Sequence, residues 1–434
     1  MKIAVVVQRY GADINGGAEL HARYIAEHLA RHGEVRVLTT CARDYVTWRN
    51  EMPAGPDSVN GIAVERWPVR LKRNTQNLRR RSRRVFTTTH SLQDELAWLD
   101  SEGPKCPELV DRLRRKPAEF DFVLLFSARY YQAYHGARAV PDRAVLVPTA
   151  EREAAIALAM FGPIFRGVRA VMYNSLEEQA MITGLTGNTA VPGVVVGIGS
   201  DVPADTSADR ARQKFGLDRP YLIYVGRIDV NKGCGELFDY FLKYAARTEH
   251  PPDLVLIGKA VMPIPDHPRV RHLGFVSDAD KFDAIAGATA LMMPSYFESL
   301  SMVTLESWAL GRPVLANAKC DVLVGQSLRS NAGLYYANAS EFAATADRLQ
   351  MDAGLAAAMG RSGRAYYSAH YAWPVIEAKY LDMFERLTRE PAPPVMEPLP
   401  GFFARRARTL PAAADVLNAL PGGPVRQAQY GWPS

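Results

Sequence analysis

The feature that most constrains this chain is a short apolar segment, a glycine loop and an amphipathic helix in succession. Ile3–Val7 is uninterrupted and rich in β-branched residues, and Gly16 and Gly17 follow it. The next apolar residues fall at helical spacing: Ala18, Ala22, Ile25 and Leu29. Such a run is typical of a strand buried on both faces of a parallel sheet. The pattern predicts a strand–helix–strand unit in which Gly33 ends the helix and 34–40 forms the second strand.

The same pattern restarts after Pro220, with a strand at Tyr221–Val225, a loop, and a helix over 235–244. Further strands are predicted at 122–126, 144–147, 168–173, 254–257, 270–275 and 290–293. We therefore expect two Rossmann-like α/β domains with parallel sheets, and a ligand in the crevice at the carboxyl ends of their strands.

The expected domain boundaries follow from these segments. The first domain covers 1–195 and the second 196–372, and an amphipathic helix at 373–390 is expected to cross back to the first domain. Ser340 is expected to cap a helix within the second domain. The segment 391–434 holds nine of the 29 prolines, which favours a poorly ordered tail.

Composition excludes several classes of protein. A chain of 434 residues with 48% hydrophobic and 23% charged residues is neither collagen-like nor wholly disordered. Its four cysteines are too far apart for the close pairs of a typical zinc or thioredoxin-like site. The cysteine pattern favours a reducing, cytoplasmic setting. We expect neither a signal peptide nor a membrane span, because the first apolar run is short and no apolar run reaches 18 residues.

The most informative segment is MMPSYFESLSMVTLESWALGRPV, residues 292–314. A predicted strand ends at Pro294, and a predicted helix begins at Ser301. Free amides at such a helix start bind anions, and Glu306 inside the helix is suited to accept the hydroxyls of a ribose. The pattern indicates a nucleotide-diphosphate site with Glu298 facing the attached sugar. The plainer alternative is that Glu298 caps the helix and Glu306 is solvated.

A second segment, YLIYVGRIDVNKGCGEL at 221–237, places two cations at the end of a strand. Arg227 follows Gly226, and Lys232 precedes Gly233 just before a predicted helix. Two cations there would neutralise a diphosphate, although solvated loop cations fit the same spacing.

Together the two segments resemble the retaining glycosyltransferases of family 4, the group 1 transferases with the GT-B fold. The family signatures G-R-x(4)-K-G and E-x(7)-E both occur complete, about 65 residues apart, each at a predicted strand-to-helix junction. The resemblance implies two Rossmann-like domains that face each other across a cleft, the first binding the acceptor and the second the nucleotide sugar.

The resemblance also implies roles for individual residues. Arg227 and Lys232 would hold the donor diphosphate together with the helix start at 301–303, namely Ser301, Met302 and Val303. Glu306 would bind the ribose and Glu298 the transferred sugar. Gly16 and Gly17 match the family's glycine loop, which approaches the donor phosphates; a tight turn is their plainer explanation.

One position departs from the family pattern. Where the family commonly has a histidine near the reacting carbon, the stretch VLVPTAEREAAI has Glu151. Glu151 is suited to a polar contact with the sugar or to base catalysis toward the acceptor hydroxyl, and equally to a structural place near the start of a helix.

The implied reaction is the transfer of a sugar, with retention, from a UDP- or GDP-sugar to a hydroxyl of a glycan or lipid-linked glycan, as in bacterial surface polysaccharide or lipopolysaccharide synthesis. We expect no metal and no further cofactor; the acids at Asp278 and Asp280 fit a helix cap better than a metal site. Two alternatives stay open: a non-catalytic partner subunit that binds nucleotide or glycan, and a sugar-nucleotide 2-epimerase of the same fold.

Residues 70–84 (RLKRNTQNLRRRSRR) contain eight Lys or Arg and almost no apolar periodicity. We expect an exposed loop or helix edge that docks on an anionic membrane surface, with a solvated charged loop as the alternative. Docking would place the protein peripherally at the inner face of the cell membrane. No nucleic-acid partner is expected, because the cations are not interleaved with aromatic residues.

Overall fold

The computed structural model describes residues 1–391 and 396–399. The tail expected at 391–434 lies outside the described residues, apart from Pro391 and 396–399.

The N-terminal lobe, residues 1–195, is built on one eight-stranded sheet. Its strands are β1 (Lys2–Val6), β2 (Glu34–Thr40), β3 (Gly55–Val59), β4 (Ile62–Trp67), β5 (Phe122–Phe126), β6 (Ala144–Val147), β7 (Ala170–Tyr173) and β8 (Gly193–Val195). Its α-helices are α1 (Gly17–Leu29), α2 (Thr75–Thr87), α3 (Leu92–Glu102), α4 (Pro107–Arg115), α5 (Tyr131–Ala139), α6 (Gly162–Gly167) and α7 (Leu176–Thr186). The strand order is β3-β4-β2-β1-β5-β6-β7-β8, with β3 antiparallel to β4 and the other described neighbours parallel.

The C-terminal lobe, residues 208–370, is built on a six-stranded parallel sheet. Its helices are α8 (Ala208–Phe215), α9 (Cys234–Ala245), α10 (Asp278–Gly287), α11 (Met302–Ala309), α12 (Asp321–Ser330), α13 (Ala339–Met351) and α14 (Ala353–His370). Its strands are β9 (Tyr221–Val225), β10 (Asp253–Ile257), β11 (Val270–Gly274), β12 (Ala290–Met293), β13 (Val314–Asn317) and β14 (Gly333–Tyr336), in the order β11-β10-β9-β12-β13-β14.

The buried strands send alternate side chains into different cores. Ile3 and Val5 of β1 pack in one cluster, whereas Ala4 and Val6 pack in another on the opposite face of the sheet. Because successive side chains of a strand point to opposite faces, a strand that is covered on both sides must be apolar throughout. This accounts for the uninterrupted apolar runs from which the strands were predicted.

A final helix, α15 (Trp373–Arg389), packs against the N-terminal lobe. Its Phe384 stacks on Phe122 of β5, with ring centroids 4.5 Å apart. Its Glu377 accepts a hydrogen bond from His28 of α1 at 2.6 Å. The chain therefore starts in the N-terminal lobe, builds the C-terminal lobe and returns.

Several predicted boundaries were wrong. The helix α1 ends at Leu29 rather than at Gly33. Asn338, not Ser340, caps α13, and its side chain accepts from the Glu341 amide at 3.0 Å. Helix α2 takes up most of the basic stretch that was expected as a loop or helix edge.

Candidate active site

The loops that follow β9 and β12 meet at the carboxyl ends of these two strands. The two strands are neighbours and parallel, so both chain segments leave the sheet on the same side. Gly233, at φ +73°, lies against the other loop: a Cβ at this position would be 2.0 Å from the Pro294 carbonyl oxygen. The glycine of the first signature therefore allows the two signature loops to touch.

This contact brings Lys232 and Glu298 together. The Lys232 Nζ lies 2.7 Å from Glu298 Oε1, and the two side chains are 32% and 13% exposed. Burial disfavours the charged ammonium, but the carboxylates of Glu298 and Glu151 outweigh it and raise the pKa of Lys232. The site thus holds a fixed, charged ammonium at the loop where a diphosphate was predicted.

Glu151 faces this pair from the N-terminal lobe. It lies in the loop that follows β6, and burial raises its pKa to about 7, with Lys232 opposing the shift and Glu298 adding to it. A carboxyl group whose pKa is near neutrality can exchange a proton at physiological pH. Glu151 therefore lies near Lys232 and Glu298, two residues that the sequence analysis assigned to the same site.

Glu178 holds the Glu151 loop in place. This carboxylate is buried near the start of α7 and accepts hydrogen bonds from the amides of Ala150, at 2.5 Å, and Asn174, at 2.6 Å. It ties the loop after β6 to the end of β7. The backbone immediately before Glu151 is thereby fixed to α7.

The start of α11 has the geometry of an anion site. Ser301 precedes the helix at φ +76°, a conformation that is strained for a residue other than glycine. Its hydroxyl accepts from the Thr304 amide at 3.4 Å. The first-turn amides, which include Met302 and Val303, have no acceptor within an α-helix. They are the donors that a phosphate group can use.

Glu306 lies one turn further along α11 and is 4% exposed. Its Oε1 is 3.0 Å from Lys281 Nζ and accepts from the Ser200 hydroxyl at 3.3 Å. Burial raises the pKa of Glu306 even though Lys281 favours the ionised form. Glu306 is therefore not the solvated helix residue of the plainer alternative.

Arg227 reaches across to the N-terminal lobe. Its Nε lies 2.8 Å from Asp229 Oδ2, and its guanidinium donates a hydrogen bond to the Tyr45 hydroxyl. The Tyr45 ring also faces Arg9, with the guanidinium carbon 5.3 Å from the ring centroid. One exposed tyrosine thus connects a predicted diphosphate cation with the loop that follows β1.

The two predicted N-terminal glycines differ in their surroundings. A Cβ on Gly16 would be 2.1 Å from Glu19 Oε2, because Glu19 folds back to pair with Arg9 at 2.7 Å. A Cβ on Gly17 would meet nothing within 4 Å. Gly16 is therefore needed for local packing, whereas Gly17 leaves open space at the start of α1.

Asp278 and Asp280 lie in the first turn of α10, as the helix-cap interpretation predicts. Ser277 caps α10, and its hydroxyl accepts from the Asp280 amide at 3.2 Å. Asp280 pairs with Lys214 at 2.7 Å. Among the described residues, no cluster of three or more His, Cys, Asp or Glu side chains is arranged to hold a metal ion.

The basic stretch forms an amphipathic helix. Asn74 caps α2, and the buried face contains Val85. Four arginines occupy the exposed face: Arg79, Arg80, Arg83 and Arg84. Their spacing of one and four residues places them on a single side of the helix.

Three site residues were not identified from the sequence: Lys281, Ser200 and Tyr45. Lys281 is 25 residues from its partner Glu306, and Ser200 is 106 residues from it. Contacts of this kind depend on how the elements pack. The sequence carried one usable signal for Lys281, its place one turn into a well-capped helix that directly precedes β12.

The molecule has two lobes built on largely parallel sheets, and the Lys232–Glu298 pair of the C-terminal lobe lies near Glu151 of the N-terminal lobe. Residues 219–352 match the family model described as glycosyl transferases group 1. This match agrees with the resemblance recognised from the two signatures, and it covers residues 219–352 only. The segment contains all four signature charges.

The chain is also similar to one curated relative and to two solved structures. The α-D-kanosaminyltransferase of Streptomyces kanamyceticus is 33% identical over 133 residues, which is 26% of this chain and 32% of that protein. Sucrose-phosphate synthase from Thermosynechococcus elongatus aligns over 89% of this chain and 99% of its own, with a TM-score of 0.64 and 17% identity. HepE from Anabaena in complex with UDP aligns over 89% and 100%, with a TM-score of 0.63 and 16% identity.

These likenesses differ in what they cover. The sequence match spans about a third of the curated relative. The structural matches span both lobes and confirm the predicted GT-B fold. Across 1–391 and 396–399, no helix combines the length and the apolar character that crossing a bilayer requires.

Proposed function

We propose that this protein is a retaining glycosyltransferase that moves a sugar from a nucleotide-diphosphate sugar to an acceptor hydroxyl. The observation that carries the proposal is the meeting of Lys232, Glu298 and Glu151 where the strand ends of the two lobes face each other. A second charge pair, Glu306 with Lys281, lies in the same helix-and-loop unit. The family match of residues 219–352 supports the same conclusion.

In the proposed complex, each part of the donor has a binding group. The diphosphate binds Arg227, Lys232 and the amides at the start of α11. The ribose hydroxyls bind Glu306, which Lys281 and Ser200 hold in place. The transferred sugar contacts Glu298, and Gly17 leaves room for the phosphates at the start of α1.

The chemical difficulty is the negative charge that grows on the departing diphosphate. Cations and helix amides that are already fixed stabilise this charge without reorganising during the reaction. The acceptor hydroxyl attacks the anomeric carbon on the face that the diphosphate leaves, which retains configuration. Glu151, with its pKa near 7, is placed to accept the hydroxyl proton. NMR of the product would establish the configuration, and an inverted linkage would exclude this mechanism.

A panel of nucleoside diphosphates would identify the nucleotide base of the sugar donor. UDP, GDP, ADP, dTDP and CDP are each added to the protein, and the melting temperature is recorded. The UDP complex of HepE makes UDP the first candidate. A nucleotide at 100 times its dissociation constant stabilises the folded protein by about 2.7 kcal/mol. We expect one nucleotide to raise the melting temperature of the wild type.

Two variants make the panel specific. Glu306→Ala should lose the nucleotide-induced rise, because the ribose loses its carboxylate. Glu249→Ala is the matched control, since its side chain is 91% exposed and contacts only the neighbouring His250. A rise that persists in Glu306→Ala would contradict the proposed donor site. Product that forms from a nucleotide sugar without any acceptor would instead identify a 2-epimerase.

We also propose that α2 docks the protein on an anionic membrane surface. Its exposed arginines, Arg79, Arg80, Arg83 and Arg84, form one basic face. Basic residues near an anionic bilayer contribute about 1 kcal/mol each. Liposome flotation should show binding to vesicles with anionic lipid, and a loss of binding when these four arginines are changed to glutamine. Equal flotation with neutral vesicles would exclude this docking mode.

A further inference from the structure

A cavity of about 560 Å³ lies between the two lobes beside the Glu298 loop. The N-terminal lobe contributes the loop at 150–157 and one side of α7, and the C-terminal lobe contributes the loops at 296–298 and 319–322. Its volume is within the usual range of small-molecule sites. The position and the lining of this cavity bear on the acceptor.

Most of the wall is apolar. The apolar side chains come from both lobes: Ile156, Ala180, Met181, Leu185, Phe297 and Val322. Leu185 is 51% exposed and Phe297 is 47% exposed, so large apolar groups are open to a ligand. Burying such surface is favourable for an apolar ligand group and unfavourable for a charged one.

The side of α7 that faces the cavity is recessed. Ala180 and Gly184 both line it and lie one helical turn apart. A Cβ added at Gly184 would meet nothing within 4 Å. The space above these two positions is therefore free, and larger side chains there would fill it.

The charged groups on the rim disfavour an anion. Two cations line the cavity, and each already has a partner: Arg152 pairs with Asp321 at 2.6 Å, and Lys319 pairs with Glu236 at 2.6 Å. The acidic side chains of the lining are Glu153, Glu177, Glu178, Glu298 and Asp321. Burial raises the pKa of Glu178 to about 8, and Glu153, Glu177 and Glu298 are each paired with a cation outside the lining. A phosphate or carboxylate in the cavity would therefore meet carboxyl groups and engaged cations.

The cavity adjoins the loop that carries Glu151, although the Glu151 side chain is not part of its wall. Glu298, which we assign to the transferred sugar, is part of its wall. Ala150 and Arg152, the neighbours of Glu151 on either side, are part of it as well. A group bound here would lie next to the hydroxyl from which Glu151 takes the proton.

We infer that this cavity binds the apolar aglycone of an uncharged acceptor, so that the acceptor is an amphiphile with its reactive hydroxyl at the edge of an apolar group. The inference rests on the proposed function and adds the class of acceptor to it. An acceptor that presents a phosphate next to the reacting hydroxyl is excluded from this position.

The test measures binding of methyl, butyl and hexyl β-D-glucoside by ligand-observed NMR, below the concentrations at which micelles form. Each methylene that becomes buried should raise affinity about fourfold. We expect at least about a tenfold gain from methyl to hexyl glucoside in the wild type. Glucose 1-phosphate, measured with the donor site saturated by the nucleotide that the panel identifies, should bind more weakly than methyl glucoside.

Variants on α7 locate the effect. Ala180→Leu and Gly184→Leu fill the recess and should each abolish the gain with chain length. Gly184→Leu also raises helix propensity, so the fold is preserved. Gln179→Leu is the matched control, since it adds the same side chain on the same helix at a position that does not line the cavity, and it should retain the gain.

The outcomes separate this inference from the proposed function. A flat chain-length series in the wild type, a gain that survives in both filled variants, or tighter binding of glucose 1-phosphate would each overturn the inference. The nucleotide panel is run on the same variants and should be unchanged. If a nucleotide binds while the alkyl series is flat, only the acceptor assignment fails. If no nucleotide binds, the proposed function fails whatever the alkyl series shows.

Discussion

The two lobes contribute to the site in different ways. The C-terminal lobe brings charges that are already paired, Lys232 with Glu298 and Lys281 with Glu306, on loops and helices that touch each other. The N-terminal lobe brings a carboxyl group with a raised pKa, Glu151, part of an apolar wall, and an open space at Gly17. In the proposed complex, the C-terminal lobe would hold the charged donor, and the N-terminal lobe would receive the uncharged acceptor and its proton.

This difference teaches where each kind of substitution should act. Changes in the C-terminal lobe should affect nucleotide binding, the rate of bond cleavage and the packing of the signature loops. Changes in the N-terminal lobe should affect the pH profile and the binding of the acceptor. The comparison fails if substitutions in the N-terminal lobe, other than at Gly17 and Tyr45, which reach the donor site, change nucleotide affinity as much as substitutions in the C-terminal lobe do.

The largest effect is expected from the diphosphate cations. Arg227→Ala and Lys232→Ala should each lower turnover by about 10²- to 10³-fold, because each removes a fixed stabiliser of the departing charge. Steady-state rates with the identified nucleotide sugar give the measurement. Lys243→Ala is the control, since Lys243 is exposed and pairs with Asp239 on the outer surface of α9. Unchanged turnover in both site variants would contradict the donor assignment.

Two glycine substitutions, one in each lobe, should differ in their effect on the stability of the protein. Gly233→Ala should destabilise the protein by about 2 kcal/mol or more, because the positive φ and the Pro294 carbonyl both exclude a side chain. Gly17→Ala should change the stability by less than about 0.5 kcal/mol. It should nevertheless lower activity, since the new methyl group enters the space assigned to the phosphates. Melting temperatures and rates of both variants test this; equal stability losses would show that the two glycines serve the same purpose.

The pH dependence of kcat/KM tests the role of Glu151. If the ionised carboxylate is the base, kcat/KM should rise with pH through about 7, since the pKa of Glu151 is about 7 and the active form predominates above it. The rise between pH 6 and pH 8 should be about tenfold. In Glu151→Gln the rate should be low and this rise should be absent. A variant that keeps the rise would assign it to another group.

The smallest effect is expected at the contact between the lobes. Tyr45→Phe removes the hydroxyl that accepts from Arg227 and keeps the ring between Arg227 and Arg9. Nucleotide affinity should fall by about threefold, because Arg227 loses one of the groups that position it. Tyr335→Phe is the control, with an exposed ring at the far edge of the C-terminal sheet. Tighter nucleotide binding in Tyr45→Phe would mean that Tyr45 competes with the diphosphate.

Much of the fold was predictable because buried parallel strands have an unmistakable composition. Ile3–Val7 and Tyr221–Val225 are apolar throughout since both of their faces are covered. The edge strand β3 (Gly55–Val59) was missed because it is short and mostly exposed, and its sequence GPDSV lacks the apolar pattern. At 70–84 the sequence left a loop and a helix edge open, because the many arginines of α2 leave only a narrow apolar face, which packs on α3.

The site was predictable where its residues belong to a local motif. Lys232, Glu298 and Glu306 each lie at a junction between a strand and a helix, which the sequence shows. What they contact depends on the packing of distant segments: Lys281 and Ser200 reach Glu306 from two other parts of the chain. The raised pKa of Glu151 has the same origin, since it comes from burial between the lobes.

The return of α15 to the N-terminal lobe has a mechanical consequence. The C-terminal lobe is joined to the rest of the molecule by two covalent connections, one at 196–207 and one at 371–372. A lobe joined at one point can rotate about several axes, whereas a lobe joined at two points rotates mainly about the line through those points. The Trp373 ring stacks on His28 at 3.5 Å beside the second connection, which fixes one end of that line to α1. Two connections therefore restrict the relative rotation of the lobes more than a single connection would.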